Sequence, residues 1–374
     1  MRTDEQLKIQ KMLMYFWIAV FFLVKALRWD TGTDFPQFLA CWQNSSWSNI
    51  FSYWRYGQNS ELMEPGYVFL NVLVKTFIPH YSVFLILTNA FIMFSFVKLI
   101  DKYVVRFKLV AFAMLMVCAE MFPVRQTIAT AVIVWTYMFM HEKKLKKYSV
   151  AMLISFLIHK SSVILYPLYW IQKIKPNIKL FIVVYLFLCA SRQLLMDKLI
   201  GLFNVKAFSV VVGNVYRVND LIDLGAFSVV SVVNSVAHLL LFGYVLRLFV
   251  QRNFNEKFPR IYSFYVISVS IYFVMICLNV VGSIPGLDIV YRLCNNFLIV
   301  YPITVAMTIW ALFYYRNKLF AVFVYSCLFA LKFMANPCVD ENGIYYTKCY
   351  YPYYTVFETT EEKLIRSLPW PYRN

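Results

Sequence analysis

Long apolar runs, broken by loops whose charge is mostly positive, constrain this chain more than any other feature. The runs lie at approximately 12–27, 82–100, 109–122, 126–140, 148–159, 163–172, 180–190, 226–250, 261–281, 293–313 and 319–334. Only 15% of the residues are charged and 61% are hydrophobic, whereas soluble domains carry about 25% charged residues. So much apolar length excludes a single soluble core. It predicts an all-α fold, a polytopic integral membrane helical bundle of about eleven segments. Several runs are shorter than the roughly 20 residues of a full span, so those tilt or enter from one side. No small-residue cleavage site follows Met12–Leu27, which reads as a retained signal anchor.

The basic loops set the orientation. Lys143, Lys144, Lys146 and Lys147 form one run, Lys173, Lys175 and Lys179 a second, and Arg252, Lys257 and Arg260 a third. With these and the N-terminus in the cytoplasm, the net charge of +17 falls almost wholly inside. Contact with the lipid bilayer accounts for that charge, and no nucleic-acid partner is expected. Parity then puts Arg28 outside and the basic Lys98–Lys108 stretch inside, with one crossing between them. Tyr67–Ile78 is short and interrupted by Asn71 and Lys75, so it reads as an interfacial helix within a long exoplasmic loop, 28–81. The expected organisation is a membrane-embedded domain over 1–334 and an exoplasmic tail over 335–374.

Most of the eight Cys lie within apolar runs, where packing is their usual role. Cys338 and Cys349 lie in the tail, where a disulfide is plausible in an oxidising compartment. The four His show no zinc-ligand spacing. No phosphate-binding glycine loop or serine elbow occurs, so no metal or other cofactor is required by the residues seen.

Five polar clusters fall on the outer side. In Arg28-Trp-Asp-Thr-Gly-Thr-Asp34, Gly32 permits a tight turn that brings Asp30 or Asp34 back to the membrane surface. A carboxylate there can take a proton from a sugar hydroxyl, although an ordinary solvated Arg–Asp loop has the same composition. Glu64-Pro65-Gly66-Tyr67 carries helix-start signals and a second carboxylate. Arg125-Gln126 sits in a short turn, where Arg125 needs a partner, either Glu120 or a phosphate. His159-Lys160-Ser161 separates two short apolar pieces, and its basic groups suit an anionic leaving group. Tyr291-Arg292 opens a late span, with an interfacial anchor as its plainer reading. His238, inside 226–250, reads as a satisfied interhelical hydrogen bond.

In these residues the chain resembles the EpsG-like, Wzy-type polysaccharide polymerases of bacteria. The series is Arg28 with Gly32-Thr33-Asp34, Glu64-Pro65-Gly66-Tyr67 with Leu70-Asn71 and Lys75, Arg125-Gln126 with Ala129, His159-Lys160-Ser161, and Arg292. It covers about residues 28–300 and leaves out the tail. The resemblance implies polymerisation of an O-antigen, capsule or exopolysaccharide from undecaprenyl-diphosphate-linked repeat units. The reaction would occur on the exoplasmic face of the bacterial inner membrane, with a chain-length regulator as a further partner. The layout is also similar, at fold level, to the GT-C membrane glycosyltransferases, which would put the catalytic acid at Asp34.

On this reading Asp34, or else Glu64, deprotonates the acceptor hydroxyl, and His159 assists the leaving group. Arg28, Arg125, Lys160 and Arg292 hold the diphosphate. Tyr67, Gln126 and Tyr291 line the acceptor glycan. An O-antigen ligase is the nearest alternative in chemistry. A lipid-linked oligosaccharide flippase would show inverted repeats, and an O-acetyltransferase would need a His facing the cytoplasm.

Overall fold

The structure is a computed structural model and describes residues 4–29, 35–52, 63–118, 124–203, 229–282, 294, 296–297, 299–334, 338–339, 345–346 and 354–355. The helices in chain order are α1 (Asp4–Ala26), α2 (Phe35–Asn44), α3 (Pro65–Phe77), α4 (Tyr81–Tyr103), α5 (Lys108–Cys118), α6 (Val124–His141), α7 (Leu145–Ile158), a 3₁₀ helix (Lys160–Lys173) and α8 (Ile178–Phe203). They continue as α9 (Val229–Gln251), α10 (Phe254–Lys257), α11 (Pro259–Gly282), α12 (Val300–Tyr315) and α13 (Lys318–Met334). Four strands of two residues each complete the described secondary structure: β1 (Arg28–Trp29), β2 (Cys338–Val339), β3 (Tyr345–Tyr346) and β4 (Tyr354–Thr355).

The all-helical expectation holds. Among the described residues, Lys8–Ala26, Tyr81–Tyr103, Ser231–Gln251 and Pro259–Gly282 are long and apolar enough to cross a membrane. Helices α5, α7 and α12, of 11, 14 and 16 residues, are shorter than the roughly 20 residues of a full span. Helix α3 has 13 residues and is likewise short. One boundary differs plainly from expectation. The run read as 180–190 belongs to a 26-residue helix, α8. Ser191, Arg192 and Gln193 interrupt the hydropathy there, but none is a helix breaker.

The chain forms two compact units. Unit 1 comprises residues 1–102, 108–166 and 326–374, and unit 2 comprises 103–107 and 167–325. In unit 1, α6 and α7 form a tight hairpin. Its turn uses Lys143 in the left-handed region, at φ 58°. The Ser155 hydroxyl donates to the Ala129 carbonyl at 3.1 Å, which ties the two helices. The Tyr148 hydroxyl donates to the carbonyls of Leu165 (2.7 Å) and Tyr166 (3.1 Å), fastening the 3₁₀ helix to α7. At the turn, Glu142 accepts from Lys102 and, at 2.6 Å, from Lys144. These lysines hold its carboxyl down at about 2.

An aromatic cluster of Phe38, Trp42, Tyr67, Tyr81 and Phe84 joins α2, α3 and α4. Lys75 has a structural role beside it. Its ammonium donates to the carbonyls of Trp42 (3.0 Å), Gln43 (2.7 Å) and Ser45 (3.2 Å), groups at the end of α2 that lack intrahelical partners. Strands β1 and β4 pair antiparallel, Arg28 with Thr355 and Trp29 with Tyr354. The tail therefore returns to the segment just after α1. Strands β2 and β3 pair Cys338 with Tyr346. Cys349, half of the expected disulfide, lies outside the described residues.

Unit 2 packs α8, α9, α11 and α12 around aromatic side chains. Phe181 stacks on Phe273 and Phe249 on Phe254. Helix α12 is buried from Val300 to Leu312. His238 is buried, with Nδ1 2.7 Å from the Asn234 carbonyl and Nε2 2.8 Å from the Tyr301 hydroxyl. The carbonyl can only accept, so Nδ1 carries the proton and Nε2 accepts from the Tyr301 hydroxyl. The interhelical hydrogen bond expected of His238 is the one observed.

Candidate functional site

The site in unit 1 begins at Glu64, the N-cap residue of α3. Its carbonyl accepts the first helical bond, from Val68 N–H at 3.1 Å. Pro65 follows within the first turn, where its missing N–H costs nothing. The Glu64 side chain does not cap its own helix. Instead it reaches two other segments. Oε2 accepts from Arg125 Nη1 at 2.8 Å, in the first turn of α6. Oε1 accepts the backbone N–H of Lys160 at 3.1 Å and lies 3.5 Å from His159 Nδ1. The His159 distance is longer than a tight hydrogen bond.

Gly66 makes this convergence possible. A Cβ at Gly66 would lie 2.7 Å from both the carbonyl carbon and oxygen of Leu157. The start of α3 therefore lies directly on the last turn of α7, two residues before His159. No other residue type permits that approach without a backbone shift. The hairpin in turn puts the first turn of α6 and the end of α7 at one end. Arg125 and His159 thus meet the same carboxylate, although 61 and 95 residues separate them from Glu64 in sequence.

The electrostatics keep Glu64 charged. Burial alone would raise its pKa, but His159, Arg125 and the Lys160 N–H together outweigh it and hold the carboxyl below its ordinary value. The exposures divide the cluster by depth. The Glu64 side chain is 5% exposed, whereas Arg125 is 22% and His159 18% exposed. A buried anion thus holds two basic side chains that both reach the surface. Such a fixed basic pair suits a phosphate oxygen, because little side-chain freedom remains to be lost on binding.

A second layer lies behind this cluster. Tyr67 is wholly buried, and the Arg125 charge acts on its hydroxyl, which lies beside the Asn71 side chain and Tyr81. Arg28, also buried, acts in the same way on the Tyr81 hydroxyl. Asn71 donates from Nδ2 to the Tyr67 carbonyl at 2.8 Å. Asn71, which interrupts the apolar run and stands in the EpsG-like series, belongs to this layer.

The structure therefore brings together Glu64, Tyr67, Arg125, His159 and the backbone of Lys160. Gln126 is half-buried beside Arg125. The Lys160 residue is exposed, and the contact seen to Glu64 is through its backbone. The partner expected for Arg125 among protein groups, Glu120, lies outside the described residues, and the observed partner is Glu64. Asp30, Asp34, Tyr291 and Arg292 also lie outside the described residues. Among the described residues, no group of three or more His, Cys, Asp or Glu is disposed to hold a metal ion.

Comparison with known families finds a match to the EpsG family over residues 11–355. The chain belongs to the EpsG family. Neither the curated proteins nor the solved structures contain a match to it. EpsG membership makes this a membrane protein of polysaccharide biosynthesis, of the polymerase type. The EpsG match also corrects the expected extent of the resemblance, about 28–300. It includes most of α1 and runs through β4, whose pairing with β1 carries the chain back to Arg28. Hydropathy ends with α13 and gave no reason to include the tail.

Proposed function

We propose that this chain lengthens a surface polysaccharide by glycosyl transfer from an undecaprenyl-diphosphate-linked glycan to a sugar hydroxyl. The acceptor oxygen attacks the anomeric carbon with inversion, and the bond from that carbon to the diphosphate oxygen breaks. The hydroxyl proton passes to the Asp34 carboxylate, and the lipid diphosphate departs as an anion. Being a good leaving group, it requires no proton from the protein. The step needs cations fixed where negative charge develops.

One observation carries this reading. The buried Glu64 carboxylate fixes Arg125 and His159 at the surface, which suits them to meet a diphosphate. Glu64 is then a positioning residue. With two donors on its oxygens, His159 nearby and a lowered pKa, it is a poorer base than an ordinary carboxylate. Arg28, Lys160 and Arg292 are proposed as further phosphate ligands, and Gln126 and Tyr291 as acceptor contacts. Tyr67 is proposed to support Arg125 from behind. In this proposal the bundle has about eleven membrane segments and a cytoplasmic N-terminus, and α3 is interfacial. The site faces the exoplasm of the bacterial inner membrane, where a chain-length regulator has access.

The test is polymer-ladder formation from purified lipid-linked repeat units. Asp34→Asn should abolish ladders while the protein still inserts. Arg125→Lys should impair them, because one ammonium does not reproduce bidentate geometry. Near-normal ladders from both Asp34→Asn and Arg125→Ala would reject the mechanism.

A further inference from the structure

Unit 2 contains a groove of about 580 Å³ lined by Leu241, Tyr244, Arg316, Asn317 and Phe320. This lies within the roughly 300–1,000 Å³ range of small-molecule sites. Leu241 and Tyr244 are three residues apart on α9 and share a face. Phe320 stands in the first turn of α13. Arg316 ends α12, where its backbone N–H donates to the Leu312 carbonyl at 3.0 Å. Its guanidinium lies over the Tyr244 ring, 5.4 Å from the centroid.

The polar groups here are donors. Among the described residues, Arg316 has no carboxylate within ion-pair distance. The Asn317 side-chain oxygen accepts from the N–H groups of Leu319 (2.8 Å) and Phe320 (3.4 Å), which leaves its amide nitrogen as the uncommitted group. Two more cations lie at this end. Lys318 is over the Phe313 ring, and Arg252 acts on Tyr315. The surface beyond the groove is apolar, with Leu319, Val322 and Phe323 exposed. A soluble phosphate has no use for the apolar wall, and a neutral lipid has none for the cations. An anionic lipid uses both.

We propose that this groove binds one anionic glycerophospholipid, with its phosphate on Arg316 and Asn317 and an acyl chain along Leu241 and Phe320. Removing one cation near a lipid surface should weaken binding about fivefold. The experiment is native mass spectrometry of the full chain in detergent containing equal phosphatidylglycerol and phosphatidylcholine. One phosphatidylglycerol should remain bound under conditions that strip phosphatidylcholine. Arg316→Ala should reduce its retention about fivefold, Phe320→Ala should also reduce it, and Lys175→Ala, at an exposed basic residue outside the groove, should not. Equal retention of the two lipids, unchanged retention in Arg316→Ala, or an equal loss in Lys175→Ala would overturn the proposal.

Discussion

Two buried polar clusters built around histidine stand in opposite states. In unit 2, His238 lies between the Asn234 carbonyl and the Tyr301 hydroxyl, and both ring nitrogens are engaged inside the core. In unit 1, His159 shares the Glu64 carboxylate with Arg125, and both basic side chains reach the surface. The first cluster is neutral and closed. The second is charged and open. A polar residue in an apolar run therefore does not mark chemistry by itself. What matters is whether its partners use it up or hold it out to a ligand. Burying a neutral, fully bonded imidazole costs little, whereas keeping a carboxylate charged in the interior needs the two hydrogen bonds and the nearby basic groups that Glu64 has.

Gly66→Ala would break the open cluster most sharply without touching any of its polar atoms. The added Cβ meets the Leu157 backbone at 2.7 Å, so α3 must move away from α7. Misplacement on that scale costs roughly 100-fold in rate, read as ladder formation. The protein should still insert. Normal ladders from Gly66→Ala would show that the close approach does not serve the site.

Tyr301→Phe tests the closed cluster. It leaves His238 Nε2 without its donor, at a cost of roughly 1–3 kcal/mol in stability, measurable by unfolding in detergent. Ladder formation by the remaining folded protein should be unchanged. A loss of ladders at full stability would place His238 in the chemistry and remove the contrast.

The smallest effect is expected at Glu142, the acid at the opposite end of the hairpin from Glu64. Its folded pKa is depressed to about 2 by Lys102 and Lys144. Its contribution is therefore complete above the unfolded carboxylate value and fades as the pH falls toward 2. Glu142→Gln should remove that acid dependence and cost no more than about 1 kcal/mol at neutral pH, since the pair is partly solvated. Unfolding measured against pH checks it.

Much of the site was legible in the sequence, because an Arg, a Glu and a His in a chain this apolar each demand a partner. The partners themselves were not legible. Arg125 pairs with Glu64, a residue 61 positions away, because the Gly66 contact brings α3 onto the hairpin. Lys75 was noticed as a break in an apolar run, but its role depends on where α2 ends. The apolar run at 163–172 falls within the helix Lys160–Lys173, but its 3₁₀ form was not anticipated; Pro167 lies within it, and Tyr148 fixes it in place. Hydropathy also gave no sign that Tyr354–Thr355 pairs beside Arg28, since strand pairing of two residues leaves no pattern.

The central claim is that Glu64 acts by holding its basic partners, chiefly Arg125, in place. A double-mutant cycle on ladder-formation rate tests it most directly, using Glu64→Gln, Arg125→Ala and the combined variant in the same membranes. Each single variant should be strongly impaired, and the combined variant should be no slower than Arg125→Ala alone. Losses that multiply would mean that Glu64 and Arg125 act independently, and a normal rate in Glu64→Gln would contradict the account outright.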